Sequence, residues 1–166
     1  MKEACFTLYG EIKTKARPRA RIYNEKYAVI YTPKNTVNYE NLIKLEYLNQ
    51  TGKLYFGDKP LEVTIEANFK LPKSDMNIRK YYSNEKVLCV NHKDLDNIAK
   101  TILDALNKVA YDDDKQVCKL TVSKFYIFEG CDYVKVKIKE LFGTVRDIRN
   151  NKHQLKLNVN KFSNSF

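Results

Sequence analysis

Residues 61–71, LEVTIEANFKL, alternate without a break. Leu61, Val63, Ile65, Ala67 and Phe69 are apolar, while Glu62, Thr64, Glu66, Asn68 and Lys70 are polar. Successive side chains on an extended backbone point to opposite faces, so the stretch is committed to a half-buried strand, which Pro72 stops. A second constraint is helical. From about Asp94 to Ala110, the residues Leu95, Ile98, Ala99, Ile102, Leu106 and Val109 fall within one arc at about 100° per residue, which makes a core-facing stripe.

The remaining segments are arranged around these two. ACFTLYGEI (4–12) reads as a first or edge strand, and KTKARPRAR (13–21) as a loop, given its basic residues and Pro18. IYNEKYAVIYTP (22–33) is a strand, or a hairpin turning near Asn24–Lys26. Thr36 is positioned to cap a helix over 37–50, with Tyr39, Leu42, Ile43 and Leu45 along one side and Gly52 beyond its end. VLCV (87–90) reads as a short buried strand. QVCKLTVSKFYIF (116–128) and YVKVKIKEL (133–141) read as an antiparallel hairpin around Glu129–Asp132. Residues 73–86 carry no clear pattern, and the last twenty or so hold at most a short strand at LKLNV. The class expected is α+β, a mixed β-sheet with two main helices in one domain.

The 166 residues suffice for one hydrophobic core, and no apolar run is long enough to cross a bilayer. No membrane partner and no small-molecule cofactor is expected. Cys5, Cys89, Cys118 and Cys131 form no C-x-x-C pair and the two histidines lie far apart, which disfavours zinc and favours reduced thiols in a cytoplasmic setting. The net charge of +10 calls for a polyanionic partner. Without a basic helix carrying a bulky apolar face, nucleic acid fits better than a membrane surface.

Against that charge, six of the twenty acids crowd between Lys93 and Val117: Asp94, Asp96, Asp104, Asp112, Asp113 and Asp114. With only four lysines the stretch runs at −2, leaving +12 on the rest. Inside a helix, Asp94 and Asp96 would point about 160° apart. A strand ending at Val90 and a helix beginning near Asp96 would instead place them on an extended joint. Both carboxylates would then project together, with Leu95 turned into the core. Asp112–Asp114 lies beyond the far end of the helix, about 20 Å away. A reversal after Tyr111, into a strand antiparallel to the helix, would carry it back. Converging carboxylates are costly unless a cation neutralises them, and an oxygen-only set suits Mg2+. In a basic chain, that combination reads as metal-assisted phosphodiester hydrolysis. Two plainer readings stand beside it. Asp94 or Asp96 could be a helix N-cap, worth about 1 kcal/mol, and the triplet could be a solvated turn. The spacing of an EF-hand is absent.

The motifs DLDNIAK (94–100), LDALNKVAY (103–111) and DDKQV (113–117), with RPRAR (17–21) and YTPKNTVNYENLI (31–43), resemble the RusA family of Holliday junction resolvases over roughly residues 4–140. The resemblance implies a RusA-like domain over 1–142 that forms a homodimer, followed by a basic Asn/Lys-rich extension at 143–166. It implies an endodeoxyribonuclease dependent on Mg2+, or Mn2+ in its place. Such an enzyme nicks four-way junctions in symmetric pairs, in recombination and repair, and is bacterial or phage-encoded. Asp94 and Asp96 match the paired metal ligands, Asp114 the third essential aspartate, Asp113 an adjacent acid, and Lys100 a catalytic lysine. Lys100 follows Asp96 by four positions, so it lies one turn along on the same side. Its alternative is an ion pair with Asp96 or Asp104, and Asp104 is read as such a partner rather than as a ligand. Lys13, Lys15, Arg17, Arg19, Arg21 and Lys93 are the candidates for phosphate contacts, against a plain solvated basic loop. The lysines of YVKVKIKEL either extend that surface or keep an exposed sheet soluble. A nuclease of flaps and forks, or a junction-binding protein without catalysis, are the rival functions.

Overall fold

The alternating run becomes the centre of a five-stranded sheet. The computed structural model describes residues 1–15, 19–23, 27–31, 33–81 and 86–149, with the side chains of 19–23, 27–31 and Arg79 outside that description. In chain order the elements are β1 (Glu3–Tyr9), β2 (Arg19–Tyr23), β3 (Tyr27–Tyr31), α1 (Lys34–Thr51), β4 (Leu61–Lys70), a 3-10 helix (Lys73–Lys80), β5 (Val87–Leu88), α2 (Leu95–Leu106), a 3-10 turn (Asp114–Gln116), β6 (Val117–Ile127) and β7 (Tyr133–Glu140). The sheet order is β1-β7-β4-β6-β5, and β2 and β3 pair separately as an antiparallel ribbon. The β4–β6 pair is parallel and the other pairs of the large sheet are antiparallel, so the class is α+β with a mixed sheet.

The pairing of the last two strands departs from expectation. β6 and β7 are not a hairpin, because β4 lies between them and pairs with both. The 128–132 connection therefore crosses the end of β4. There the Lys70 amide donates to Asp132 Oδ1 at 2.8 Å and the Leu71 amide to Ile127 O at 2.9 Å, satisfying backbone groups where β4 ends.

Leu61, Val63, Ile65, Ala67 and Phe69 are all buried, and their face of the sheet continues through Ala4, Phe6 and Leu8 of β1 and Val134, Val136 and Ile138 of β7. Both helices cover it, with α1 over β1 and α2 over β6, in contact with each other. α1 begins two residues before the expected cap. The carbonyl of Pro33 accepts the Thr36 amide at 2.9 Å, so Thr36 lies inside the first turn. The buried stripe is Thr36, Tyr39, Ile43 and Tyr47, the spacing of one helix face, which leaves Leu42 and Leu45 outside. Tyr47 meets Phe6 edge to face with ring centroids 5.4 Å apart, and Gly52 ends the helix at φ +63. β5 is only partly a buried strand, since Val87 packs against the core and Cys89 beyond it is buried, while Leu88 is exposed at this sheet edge.

The opposite sheet face is wet, and its lysines are matched by acids. Lys137 pairs with Glu3 at 2.9 Å, Lys119 with Glu62 at 2.5 Å, and Lys86 with Glu66. That pattern suits a solvated sheet better than an anion-binding one. All four cysteines are free thiols. Among the described residues, no helix is long and apolar enough to cross a membrane. The LKLNV stretch lies outside the described residues.

Candidate active site

The approach to α2 is a tight turn tied to β6. The Cys89 amide donates to Lys124 O at 3.2 Å, and Cys89 Sγ donates to Asn91 O at 3.2 Å. Lys124 Nζ then donates to two carbonyls, Asn91 O at 3.0 Å and Lys93 O at 3.1 Å. Asp94 follows at the N-cap position with φ −68 and ψ 140, and its own carbonyl accepts the Ile98 amide at 3.1 Å. Its carboxylate makes no capping bond. Among the described residues its hydrogen-bond partner is Asn97 Nδ2, at a long 3.5 Å. The cap reading thus describes the backbone of Asp94 but not what its side chain does.

Asp96 sits in the first turn of α2 and is exposed. Because the helix starts at Leu95, Asp94 is the extended N-cap and Asp96 already lies in the first helical turn, so the two do not share an extended joint. For the same reason Leu95 stays partly outside while the buried stripe runs through Ile98, Ala99, Ile102 and Leu106. Two carboxylates at a helix N-terminus gain from its dipole, which offsets part of their mutual repulsion. Lys100, one turn on, is exposed and makes no ion pair with the described residues. The partner of Asp104 is Lys15, at 2.6 Å.

The triplet at the far end divides its roles. α2 stops at Leu106, and the chain turns with Lys108 at φ +62 and its amide donating to Tyr111 O at 2.7 Å. Tyr111 is fully buried, and its hydroxyl donates to Leu103 O at 3.0 Å. Burial pushes this phenol's pKa strongly upward, with the charges of Asp114 and Asp104 adding to the effect. Asp112 accepts from Tyr55 Oη at 2.5 Å. Asp113 forms a reciprocal capping box with Gln116, and the Lys115 amide it accepts holds its carboxyl below the ordinary aspartate range.

The 3-10 turn that carries Asp114 packs against α2, and the charge of Asp114 acts on the buried Tyr111. Leu103, where the Tyr111 hydroxyl docks, is about 10 Å of helix rise beyond Asp96. Among the described residues, no three acids, cysteines or histidines gather into a group able to hold a metal. After Tyr111 the chain turns into β6, which packs against α2. What returns to the Asp94 end is Lys124, seven residues into the strand and about 23 Å along it. Sequence reasoning missed Lys124, and no local signal marks it.

Lys13 and Lys93 line the same cleft of about 350 Å³ with Thr14, Asn35 and Glu11, whose carboxylate pairs with Lys13 at 3.5 Å. That cleft abuts Asp94 through Lys93. Lys15 is placed differently. Its ammonium is held by Asp104 and, at 3.7 Å, by Glu40, while its amide donates to Thr101 Oγ1 at 2.7 Å. The hydrogen bond it donates to Asp104 raises its pKa. These contacts pin the start of the basic segment against α2, next to the turn that bears Lys100. Arg17 lies outside the described residues, and of Arg19 and Arg21 only the backbone, on β2, is described.

A family model for the endodeoxyribonuclease RusA matches residues 10–139. The chain belongs to the RusA family. RusA membership indicates an endodeoxyribonuclease, a hydrolase of the DNA backbone, in a family that acts on branched DNA junctions. The chain is also similar to the uncharacterized protein YqaN of Bacillus subtilis (strain 168). The two are 35% identical over 141 residues, which is 82% of this chain and 95% of YqaN. The RusA match spans β2 to β7, and so includes both helices, the acidic turn and the cleft.

Proposed function

We propose that this protein is a Mg2+-dependent endodeoxyribonuclease that resolves four-way DNA junctions by paired symmetric nicks, in recombination and repair. The observation that carries the reading is the state of Asp94 and Asp96. Both are exposed at the start of α2 and free of capping bonds, with Lys100, unpaired among the described residues, one turn on and the cleft lined by Lys13 and Lys93 alongside. Two such carboxylates fit a hard cation that keeps most of its waters and takes its other ligands from phosphate. Asp94 and Asp96 would hold it. A divalent ion there supplies charge neutralisation on the phosphate and activates water at neutral pH.

The protein's own groups do the rest. Lys13 and Lys93 hold the backbone of the incoming strand by charge. Lys100, which makes no ion pair among the described residues, donates to the oxygen on which negative charge grows. Lys15 acts through Asp104, as an anchor for the basic segment that carries Arg17, Arg19 and Arg21. Asp113 is engaged as a cap. Asp114 is not gathered with Asp94 and Asp96 into one ligand group among the described residues, so we assign its part in the site to a homodimer in which a second copy would supply it. A two-fold dimer would also present one site to each of two opposed junction strands.

The test is a synthetic four-way junction, with linear duplex and a flap as comparators, incubated with Mg2+ or with EDTA. Paired nicks at symmetric positions of the junction, only with metal, are the expected result. Equal cleavage of flaps would shift the assignment to a general branched-DNA nuclease, and junction binding without cleavage to a non-catalytic protein.

A further inference from the structure

His92 adopts φ +67, a left-handed backbone that residues other than glycine take at a cost and keep only where their surroundings enforce it. The enforcement comes from several sides. One ammonium, that of Lys124, holds the carbonyls of both chain neighbours, Asn91 and Lys93. The imidazole lies flat on Phe69, with ring centroids 4.4 Å apart and planes 4° from parallel, and it meets Tyr126 at 5.6 Å and 67°. Phe69 and Tyr126 are themselves buried. Yet His92 is exposed, and its ring nitrogens make no hydrogen bond to the described residues. A turn of this kind would be less strained with glycine. The geometry is that of an aromatic plate, fixed on one face by the core and open on the other, two residues from Asp94.

We propose that the open face of His92 stacks on a nucleobase next to the phosphate held at Asp94 and Asp96, a role that rests on the nuclease reading above. Every base has a π-face, so such a plate discriminates little by sequence. It discriminates by pairing state instead, because a base inside a stacked duplex cannot present its face to a side chain. Bases at the branch point of a junction can. His92 would thereby favour branched over linear DNA, and the clamp of Lys124 would have its ordering entropy settled before DNA arrives.

Junctions carrying 2-aminopurine at single positions around the branch point test this, with protein bound in EDTA so that no strand is cut. With wild type, emission is expected to change on binding at one position, and His92→Phe should reproduce the change. His92→Ala should lose it and bind the junction about tenfold more weakly, with linear-duplex affinity unchanged. His92→Gly removes the ring while accepting the left-handed backbone, so it should match His92→Ala on DNA and melt as a folded protein. Junction affinity and probe emission unchanged in both ring-deleted variants would overturn the stacking role and leave the nuclease reading intact. Failure of wild type to bind branched DNA would overturn both.

Discussion

Asp96→Asn is expected to reduce junction cleavage in Mg2+ by roughly a thousandfold or more, while junction affinity holds or rises. The rate effect follows from removing one of two carboxylates that hold a cation supplying several kcal/mol of transition-state stabilisation, at about 1.4 kcal/mol per tenfold. Affinity should hold because the lost charge is negative and lies beside the Lys13–Lys93 cleft that grips phosphate. The fold should survive. Asp96 is exposed and makes no hydrogen bond among the described residues, so its interaction with the helix N-terminus is what is lost, about 0.3–1 kcal/mol. Single-turnover cleavage, with a mobility-shift titration in EDTA, separates the two effects. Equal loss of cutting and binding would mean that Asp96 serves DNA contact or folding.

The largest effect on stability is expected at Tyr111. Its ring is fully buried where the chain leaves α2, and its hydroxyl is bonded to Leu103 O. Tyr111→Ala should cost about 3–5 kcal/mol, which for a domain of this size lowers the melting temperature by roughly 10–15 °C. Tyr111→Phe keeps the ring and gives up one hydrogen bond, about 1 kcal/mol. The same group sets an alkaline limit. A phenol whose pKa is raised by burial contributes stability that is intact below the unfolded value of about 10 and lost as pH rises above it, since only the unfolded chain can then release the proton. Tyr111→Phe should therefore flatten the fall of melting temperature between neutral pH and pH values above about 10. An unchanged alkaline slope would place the titration elsewhere, at Tyr39 or Tyr47, whose phenols burial also raises.

The elements that local periodicity encodes were legible in the sequence. β4 stands as the alternation predicts. The 100° arc holds for Ile98, Ala99, Ile102 and Leu106, while Leu95 stays outside and Val109 lies beyond the end of α2. Each pattern is written within a dozen residues and decided by burial. Pairing is not written that way. QVCKLTVSKFYIF and YVKVKIKEL have the strand content and intervening length of a hairpin, yet β4 inserts between them, a choice made by contacts some sixty residues away in sequence. Helix limits shifted for small local reasons: the Pro33 carbonyl starts α1 ahead of Thr36, and the turn at Lys108 ends α2 four residues early. Asp94 and Asp96 could be singled out from spacing and charge. The place of Asp114 could not, since it depends on where Tyr111 docks. Nor could the two lysines that organise the region, Lys15 on Asp104 and Lys124 under the Asn91–Lys93 turn, both joined across long stretches of chain.

The central claim is that Asp94 and Asp96 together form the platform for a divalent ion. Mn2+ binding, followed by its electron paramagnetic resonance signal in complexes with a four-way junction, tests it most directly. Wild type should take up Mn2+, and the Asp94→Asn, Asp96→Asn double variant should leave it free in solution with the junction still bound. Uptake by that variant at the wild-type affinity would contradict the claim.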